Sequence, residues 1–330
     1  MSGASAPVLE IRDLTVRYGA RLATWSVSLL VRAGEVLALV GESGAGKSSV
    51  GRAVVGLLPE PGLIERGTIR FRGRDLLVLG GNEMRELRGA EIALVPQDPL
   101  SALNPVFRIG VQATDALRVH RGLSRAAARS EMARLLGRMG IPSPADALRS
   151  YPHELSGGMR QRVLIAIAFS CAPALVIADE PTTALDVTTQ AQILRLLAEL
   201  QAERGVATLF VSHDLGVVAH LAHRVGVMYA GCLVETAPTS TLFAAPAHPY
   251  TRRLLAQVPR VEGGLAGLDQ APLDGTMPAL TAAPGACPFR AGCPERIGVC
   301  DEAMPALSAA APGHLVACHL YASAPVADAP

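Results

Sequence analysis

Gly41-Glu42-Ser43-Gly44-Ala45-Gly46-Lys47-Ser48 reads G-x-x-x-x-G-K-S. The apolar run Val36-Leu37-Ala38-Leu39-Val40 leads into it. Behind it Val50, Ala53, Val54, Leu57 and Leu58 recur at helical spacing until Pro59. A buried strand, a glycine-rich loop and a helix in that order form the setting in which this pattern cradles phosphates. Glycines let backbone N–H groups turn inward, and the helix N-terminus adds partial positive charge. Lys47 is then placed for the β- and γ-phosphates and Ser48 for Mg²⁺. A glycine turn that binds nothing would not need the flanking strand and helix.

Downstream, Ala174-Leu175-Val176-Ile177-Ala178-Asp179-Glu180 is an apolar strand ending in two carboxylates. Asp179 can hold Mg²⁺ beside the loop serine, and Glu180 can polarise an attacking water. Without a phosphate loop upstream, these would be two solvated acids at a strand end. Glu91-Ile92-Ala93-Leu94-Val95 is another strand, closed by Pro96-Gln97-Asp98-Pro99, and Asn104-Pro105 breaks the chain again. This punctuation reads as a joint between subdomains. Residues 106–150 follow with helical periodicity. Ser124 is positioned to cap a helix carrying Met132, Leu135, Leu136 and Met139 on one face.

Ser156-Gly157-Gly158-Met159 then opens an apolar helix from Val163 to Phe169. Two glycines leave its first turn open to an anion, although alone this would be an ordinary cap. Ala207-Thr208-Leu209-Phe210-Val211 is a strand delivering Ser212-His213-Asp214. A histidine at the end of a parallel strand points into the crevice where such sheets bind ligands. Upstream of the loop, residues 8–18 alternate as a strand ending at Tyr18, whose ring can either stack on a base or fill an edge. Val27–Val31 and Gly67–Gly73 read as further short strands. Repeated strand–helix units imply an α/β fold with a mostly parallel sheet.

The 330 residues are half hydrophobic with a formal net charge of +1. That supports a sizeable core and gives no global field for nucleic acid. Met1 to Pro7 lack the basic and apolar regions of a signal peptide. No segment approaches the roughly 18 uninterrupted apolar residues of a membrane helix. A cytoplasmic chain is therefore expected, with membrane contact only through partners. Past residue 236 the composition shifts to an irregular extension, with thirteen of the 24 prolines. It holds Cys287, Cys293, Cys300 and Cys318, spaced C-x5-C-x6-C-x17-C, whereas Cys171 and Cys232 lie in apolar core context. A segment with little core and four clustered thiols in a reducing compartment suggests a metal centre rather than disulfides. Spacing alone leaves zinc and iron–sulfur open.

Taken as an ordered set, these residues resemble the ATP-binding subunit of ABC transporters, in the dipeptide/oligopeptide importer subgroup. Gly41 to Ser48 is similar to Walker A, Gln97 to the Q-loop and Leu155 to Gln161 to the ABC signature, with Met159 where the commonest pattern has Gln. Leu175 to Glu180 resembles Walker B, Ala184 to Asp186 the D-loop and His213 the switch histidine. The run Ala178 to Asp186 and His248-Pro249-Tyr250-Thr251 resemble the subgroup.

The resemblance implies a P-loop NTPase (RecA-like) core with N-terminal antiparallel strands, an inserted helical subdomain and an irregular C-terminal extension. It implies an ATP-binding domain over 1–235, with the helical part at about 98–160, and a four-cysteine extension over 236–330. ATP would be held by Tyr18, Gly41, Ser43, Gly44, Gly46, Lys47, Ser48 and Ser49. Mg²⁺ would be held by Ser48, Gln97 and Asp179. Glu180 would be the general base, with Gln97 and His213 sensing the γ-phosphate. Ser156, Gly157 and Gly158 would serve the nucleotide of a second ATPase subunit in a head-to-tail pair, most naturally a related but different chain. Two membrane permeases, an extracytoplasmic solute-binding protein, a place on the cytoplasmic face of the membrane and a [4Fe–4S] cluster on the four cysteines are implied in the same way. Import of another solute such as nickel is the alternative, together with a non-transport ABC ATPase acting on DNA or ribosomes. The latter class carries long coiled coils or tandem halves, whereas this chain has one P-loop and no sustained heptads. A redox protein built on the cysteines would leave the nucleotide motifs without a role.

Overall fold

The computed structural model describes residues 6–183, 185–257 and 277–321. Aliphatic and β-branched runs form β1 (Leu9–Tyr18), β2 (Arg21–Val31) and β3 (Val36–Val40), then α1 (Lys47–Val54), β4 (Gly62–Phe71) and β5 (Arg74–Asp75). The middle of the chain is mostly helical: α2 (Gly81–Leu87), β6 (Ile92–Val95), α3 (Pro99–Ala102), α4 (Ile109–Arg121), α5 (Arg125–Arg138) and α6 (Pro144–Ala147). There follow α7 (Gly157–Phe169), β7 (Leu175–Asp179), α8 (Val187–Arg204), β8 (Ala207–Val211) and α9 (Leu215–Leu221). Last come β9 (Arg224–Tyr229), β10 (Cys232–Pro238), α10 (Thr239–Ala244), α11 (Pro249–Ala256), β11 (Ser308–Ala311) and β12 (His314–Val316).

These elements pack as two compact units. One comprises residues 6–8, Arg32–Glu35 and Val78–Phe210. Its strands run in the order β8-β7-β6, with β7 buried at every position and parallel to β6. α4, α5 and α7 pack on one another. Ser124 caps α5 as its sequence indicates, accepting from Ala127 N–H at 3.2 Å, and Met132, Leu135 and Leu136 are buried. The other unit comprises Leu9–Val31, Val36–Leu77 and the described residues from Val211 onward. It holds the run β11-β12-β10-β9-β3, in which β3 is parallel to β9, and the antiparallel sheet β2-β1-β4-β5.

Three expectations shift. The helix behind the loop stops at Val54, where Leu57 N–H closes back on Arg52 O at 2.9 Å, so Leu57 and Leu58 lie beyond it. β2 begins at Arg21 rather than Val27, because Leu22 and Thr24 continue the buried face. β4 begins at Gly62 rather than Gly67.

The extension contains short elements that its composition hides. β12 pairs antiparallel with β10 (Glu235↔Val316). Glu235 is fully buried there, and its carboxylate accepts from Ala247 N–H (2.8 Å) and His248 N–H (2.9 Å) and lies 2.7 Å from His314 Nε2. A buried carboxylate must find such partners, and in finding them it ties three segments of the extension together.

His248 caps α11, its Nδ1 accepting from Tyr250 N–H at 3.0 Å. Burial, reinforced by Arg252, pushes its pKa down to about 4. A histidine in the unfolded chain titrates near 6.5, so above that pH neither state carries the proton. As pH falls from 6.5 to 4 the unfolded chain takes up a proton that the fold refuses, and stability drops by about 3 kcal/mol across that window. His248→Asn keeps a capping acceptor without the titration. Urea unfolding at pH 7.5 and 5 should show a smaller acid loss in the variant than in the wild type.

Candidate nucleotide site

β3 is buried throughout and hands the chain to Gly41 (φ 146) and Gly46 (φ 97). A side chain disfavours both conformations. Space excludes one as well: a Cβ on Gly41 would lie 2.2 Å from Met228 O, and one on Gly46 2.1 Å from Ala23 O. Gly231 N–H donates to Ala45 O at 3.1 Å, and Glu42 N–H donates to the Tyr250 hydroxyl at 3.1 Å. Lys47 is 4% exposed, and its ammonium donates to Gly41 O (2.7 Å) and Glu42 O (2.9 Å). Ser48 and Ser49 stand in the first turn of α1, where the helix dipole favours an anion. Burial holds the Glu42 carboxyl above its usual range, against the pull of Arg253 and Lys47. Its Oε1 is buried with no hydrogen-bond partner among the described residues.

β7 delivers Asp179, which is buried, and Glu180, which is half-buried. Glu180 sits at φ 45, a left-handed conformation that costs a non-glycine residue about 1–3 kcal/mol. Two side chains hold its Oε2: Thr183 Oγ1 donates at 2.9 Å and Gln97 Nε2 at 3.3 Å. The structure thus brings Gln97 to Glu180 across 83 residues. Thr183 escaped the sequence reading. Its signal is a hydroxyl three residues past the acid, across a turn.

His213 is exposed and follows Ser212, whose N–H donates to Leu39 O at 3.1 Å, so it stands beside the end of β3. Tyr18 ends β1, half-buried, with its ring against Gly62, where a Cβ would meet Cε1 at 2.5 Å. Ser156 caps α7 and accepts from Met159 N–H at 3.3 Å. The two glycines after it differ. A Cβ on Gly157 would meet nothing closer than Leu185 at 3.8 Å, whereas one on Gly158 would lie 2.7 Å from Thr189 Cγ2. Gly158 thus has a packing reason to be small as well, because α8 comes close. Asp186 caps α8 by accepting from Thr189 N–H at 2.9 Å, and that bond holds its carboxyl below the usual range. Ala184 of the same segment and residues 1–5 lie outside the described residues.

All six cysteines are free. Cys287 and Cys300 are buried, and Cys287 N–H donates to Cys300 O at 2.9 Å. Burial pushes up the thiols of Cys287, Cys293 and Cys318, and neighbouring thiolates of the same quartet push each further, so the four lie within electrostatic reach of one another. Among the described residues no group of three or more His, Cys, Asp or Glu is set to hold a metal ion. The expectation that this segment lacks a core is corrected: Phe289 is 1% exposed and packs on Tyr229 and Tyr250, with ring centroids 5.2 and 5.4 Å apart. Cys232 is buried as expected, with its thiol raised to about 12, whereas Cys171 is only half-buried.

The ABC transporter family matches residues 25–183, and the family described as the oligopeptide/dipeptide transporter C-terminal region matches 234–300. The chain is 46% identical over 318 residues to the dipeptide transport ATP-binding protein DppD of Bacillus subtilis, covering 95% of this chain and 94% of that one. It is 44% identical over 315 residues to the oligopeptide transport ATP-binding protein OppD of Salmonella typhimurium, covering 94% and 93%. Among solved structures, the dimeric post-hydrolysis state of the ATP-binding cassette MJ0796 bound to ADP and Pi is similar. Its TM-score is 0.63 at 26% identity, covering 70% of this chain and 98% of that one. With the phosphate loop, the paired strand-end carboxylates and the C-terminal region all accounted for, the chain belongs to the ABC transporter ATPases, as the ATP-binding subunit of a dipeptide/oligopeptide importer.

Proposed function

We propose the following roles for the residues of this ATPase. Gly41, Ser43, Gly44, Gly46, Lys47, Ser48 and Ser49 bind the phosphates of ATP, and Tyr18 stacks on the base. Ser48, Asp179 and Gln97 supply the oxygen donors that Mg²⁺ prefers, and the bound ion neutralises charge on the phosphates. Glu180 takes the proton of the attacking water, while His213 and Gln97 respond to the γ-phosphate. Phosphoryl transfer needs positioning and charge neutralisation more than covalent chemistry. The observation that carries this reading is the Glu180 carboxylate. It is held by Gln97 and Thr183 on a left-handed backbone conformation that a side chain disfavours. Ser156, Gly157 and Gly158 serve the ATP of a second, related ATPase subunit.

The partners proposed are that subunit, two membrane permeases that transport the peptide and, indirectly, an extracytoplasmic solute-binding protein, with no nucleic acid. The chain then sits peripherally on the cytoplasmic face of the membrane. No helix among the described residues is long and apolar enough to cross it. The helical segment after Gln97 is proposed to dock on a permease subunit, because it exposes Leu100, Val106, Phe107 and Val111, each at least half accessible. Exposed apolar side chains gathered in one segment mark an interaction surface. We take 1–235, including the helical part at 98–160, as the ATP-binding portion and 236–330 as the importer-specific one.

The four cysteines are proposed to hold a [4Fe–4S] cluster in a structural or assembly role. Four free thiols within electrostatic reach of one another are the donor set such a cluster uses.

Two experiments test these readings. Glu180→Gln keeps the shape but cannot take a proton. It should bind ATP with wild-type affinity and lose steady-state hydrolysis by about a hundredfold or more. Lys47→Ala should weaken binding itself. Near-normal turnover of the Glu180 variant would remove it as the base. Separately, anaerobically purified protein should be brown with broad visible absorbance that Cys300→Ser abolishes. Colourless protein with stoichiometric zinc would refute the cluster and keep the site; no metal at all would remove the site.

A further inference from the structure

The stretch His248-Pro249-Tyr250-Thr251 has no role in the assignments above. In the fold it opens α11, which touches both the phosphate loop and the cysteine-bearing segment. Tyr250 is fully buried. Its hydroxyl accepts from Glu42 N–H at 3.1 Å, and its ring packs on Phe289, two residues past Cys287, at 61° with centroids 5.4 Å apart. Arg253, one turn further on, donates from Nη1 to Gly292 O at 2.8 Å, next to Cys293, and its charge pulls on the Glu42 carboxyl. Arg252 secures the same segment through a two-pronged pair with Glu295 (2.6 and 3.2 Å).

The decisive geometry lies in one peptide group. Glu42 N–H and Gly41 C=O belong to the same planar unit and cannot turn independently. Tyr250 holds the N–H end, and the Lys47 ammonium donates to the C=O end at 2.7 Å. Turning that plane would remove the Lys47 contact and strand the buried Tyr250 hydroxyl. Ring burial alone would be served as well by phenylalanine, so the hydroxyl's use is the loop.

We propose that Tyr250 is a positioning residue of the nucleotide site. By fixing the Gly41–Glu42 peptide it aims Lys47, and through Phe289 it links the loop to the segment around Cys287–Cys300. Nucleotide binding then tightens that segment, and disturbing the segment weakens nucleotide by the same factor, since coupling between two sites is reciprocal. The inference rests on the reading of Gly41 to Ser48 as the phosphate cradle.

The test uses the full chain as wild type, Tyr250→Phe, Arg253→Gln and Lys47→Ala. Magnesium–ADP affinity is measured by calorimetry, and amide hydrogen exchange of residues 287–300 is followed with and without the nucleotide. Tyr250→Phe should still melt cooperatively without nucleotide, at a lower midpoint for the lost hydrogen bond, and bind magnesium–ADP about fivefold more weakly. Nucleotide should slow exchange over 287–300 in the wild type; the slowing should vanish in Tyr250→Phe and shrink in Arg253→Gln. Arg253→Gln carries the linkage test by itself if Tyr250→Phe fails to fold. Wild-type affinity and wild-type protection in Tyr250→Phe would overturn the proposal, as would a wild type that binds nucleotide with no change over 287–300. Weaker binding with full protection would overturn the coupling. If instead the wild type does not bind, or Lys47→Ala binds as well as the wild type, the phosphate-loop reading itself fails.

Discussion

The structure around the nucleotide site depends on a backbone contact that admits no side chain. Gly41 is pressed against Met228 O and Gly46 against Ala23 O, each leaving about 2 Å where a Cβ would go. The loop is thereby clamped between β2 on one side and the end of β9 on the other. The turn that joins β9 to β10, Ala230-Gly231, has φ of 46 and 78 at its two central residues, as a tight hairpin with the native strand twist requires. Gly231 then donates to Ala45 O and accepts from Trp25 N–H, so one turn pins the loop and β2 together. Backbone amides can serve a phosphate only if they are already aimed, and this clamp fixes the backbone of the loop.

The acid end of β7 is organised on a different principle. Asp179 is buried in line with its strand, while Glu180 leaves the strand with a left-handed backbone. That turn carries its carboxylate to Thr183 and Gln97. One hydroxyl and one amide, both donors, meet a single oxygen. These two uncharged donors restrain the orientation of the carboxylate.

The extension is joined to the nucleotide-binding core through packing as well as sequence continuity. Glu235 on β10 gathers Ala247, His248 and His314, and the capped helix α11 that results presents Tyr250 to the loop. Phe289, Tyr250 and Tyr229 form an aromatic cluster beneath the cysteine segment. The segment therefore has a core of its own before any metal is considered, even though its composition is rich in proline.

Local chemistry was legible in the chain itself. G-x-x-x-x-G-K-S, the apolar strand ending in Asp179-Glu180, Gln97 after its strand, the caps at Ser124 and Ser156 and the histidine after β8 all rest on short-range rules of turns, caps and periodicity, and those rules need no partner. What the sequence left silent depends on contacts between residues far apart. Gly158 is small because Thr189 arrives from another helix; Gln97 meets Glu180 across 83 residues; Thr183 matters only because Glu180 turns. Tyr250 finds Glu42 across 208 residues, and Phe289 finds Tyr250 only once β10, α11 and the hairpin of β11 and β12 have gathered around Glu235. Periodicity reports which face of an element is apolar. It does not report which other element covers that face, and only the tertiary packing decides whose backbone closes on whose.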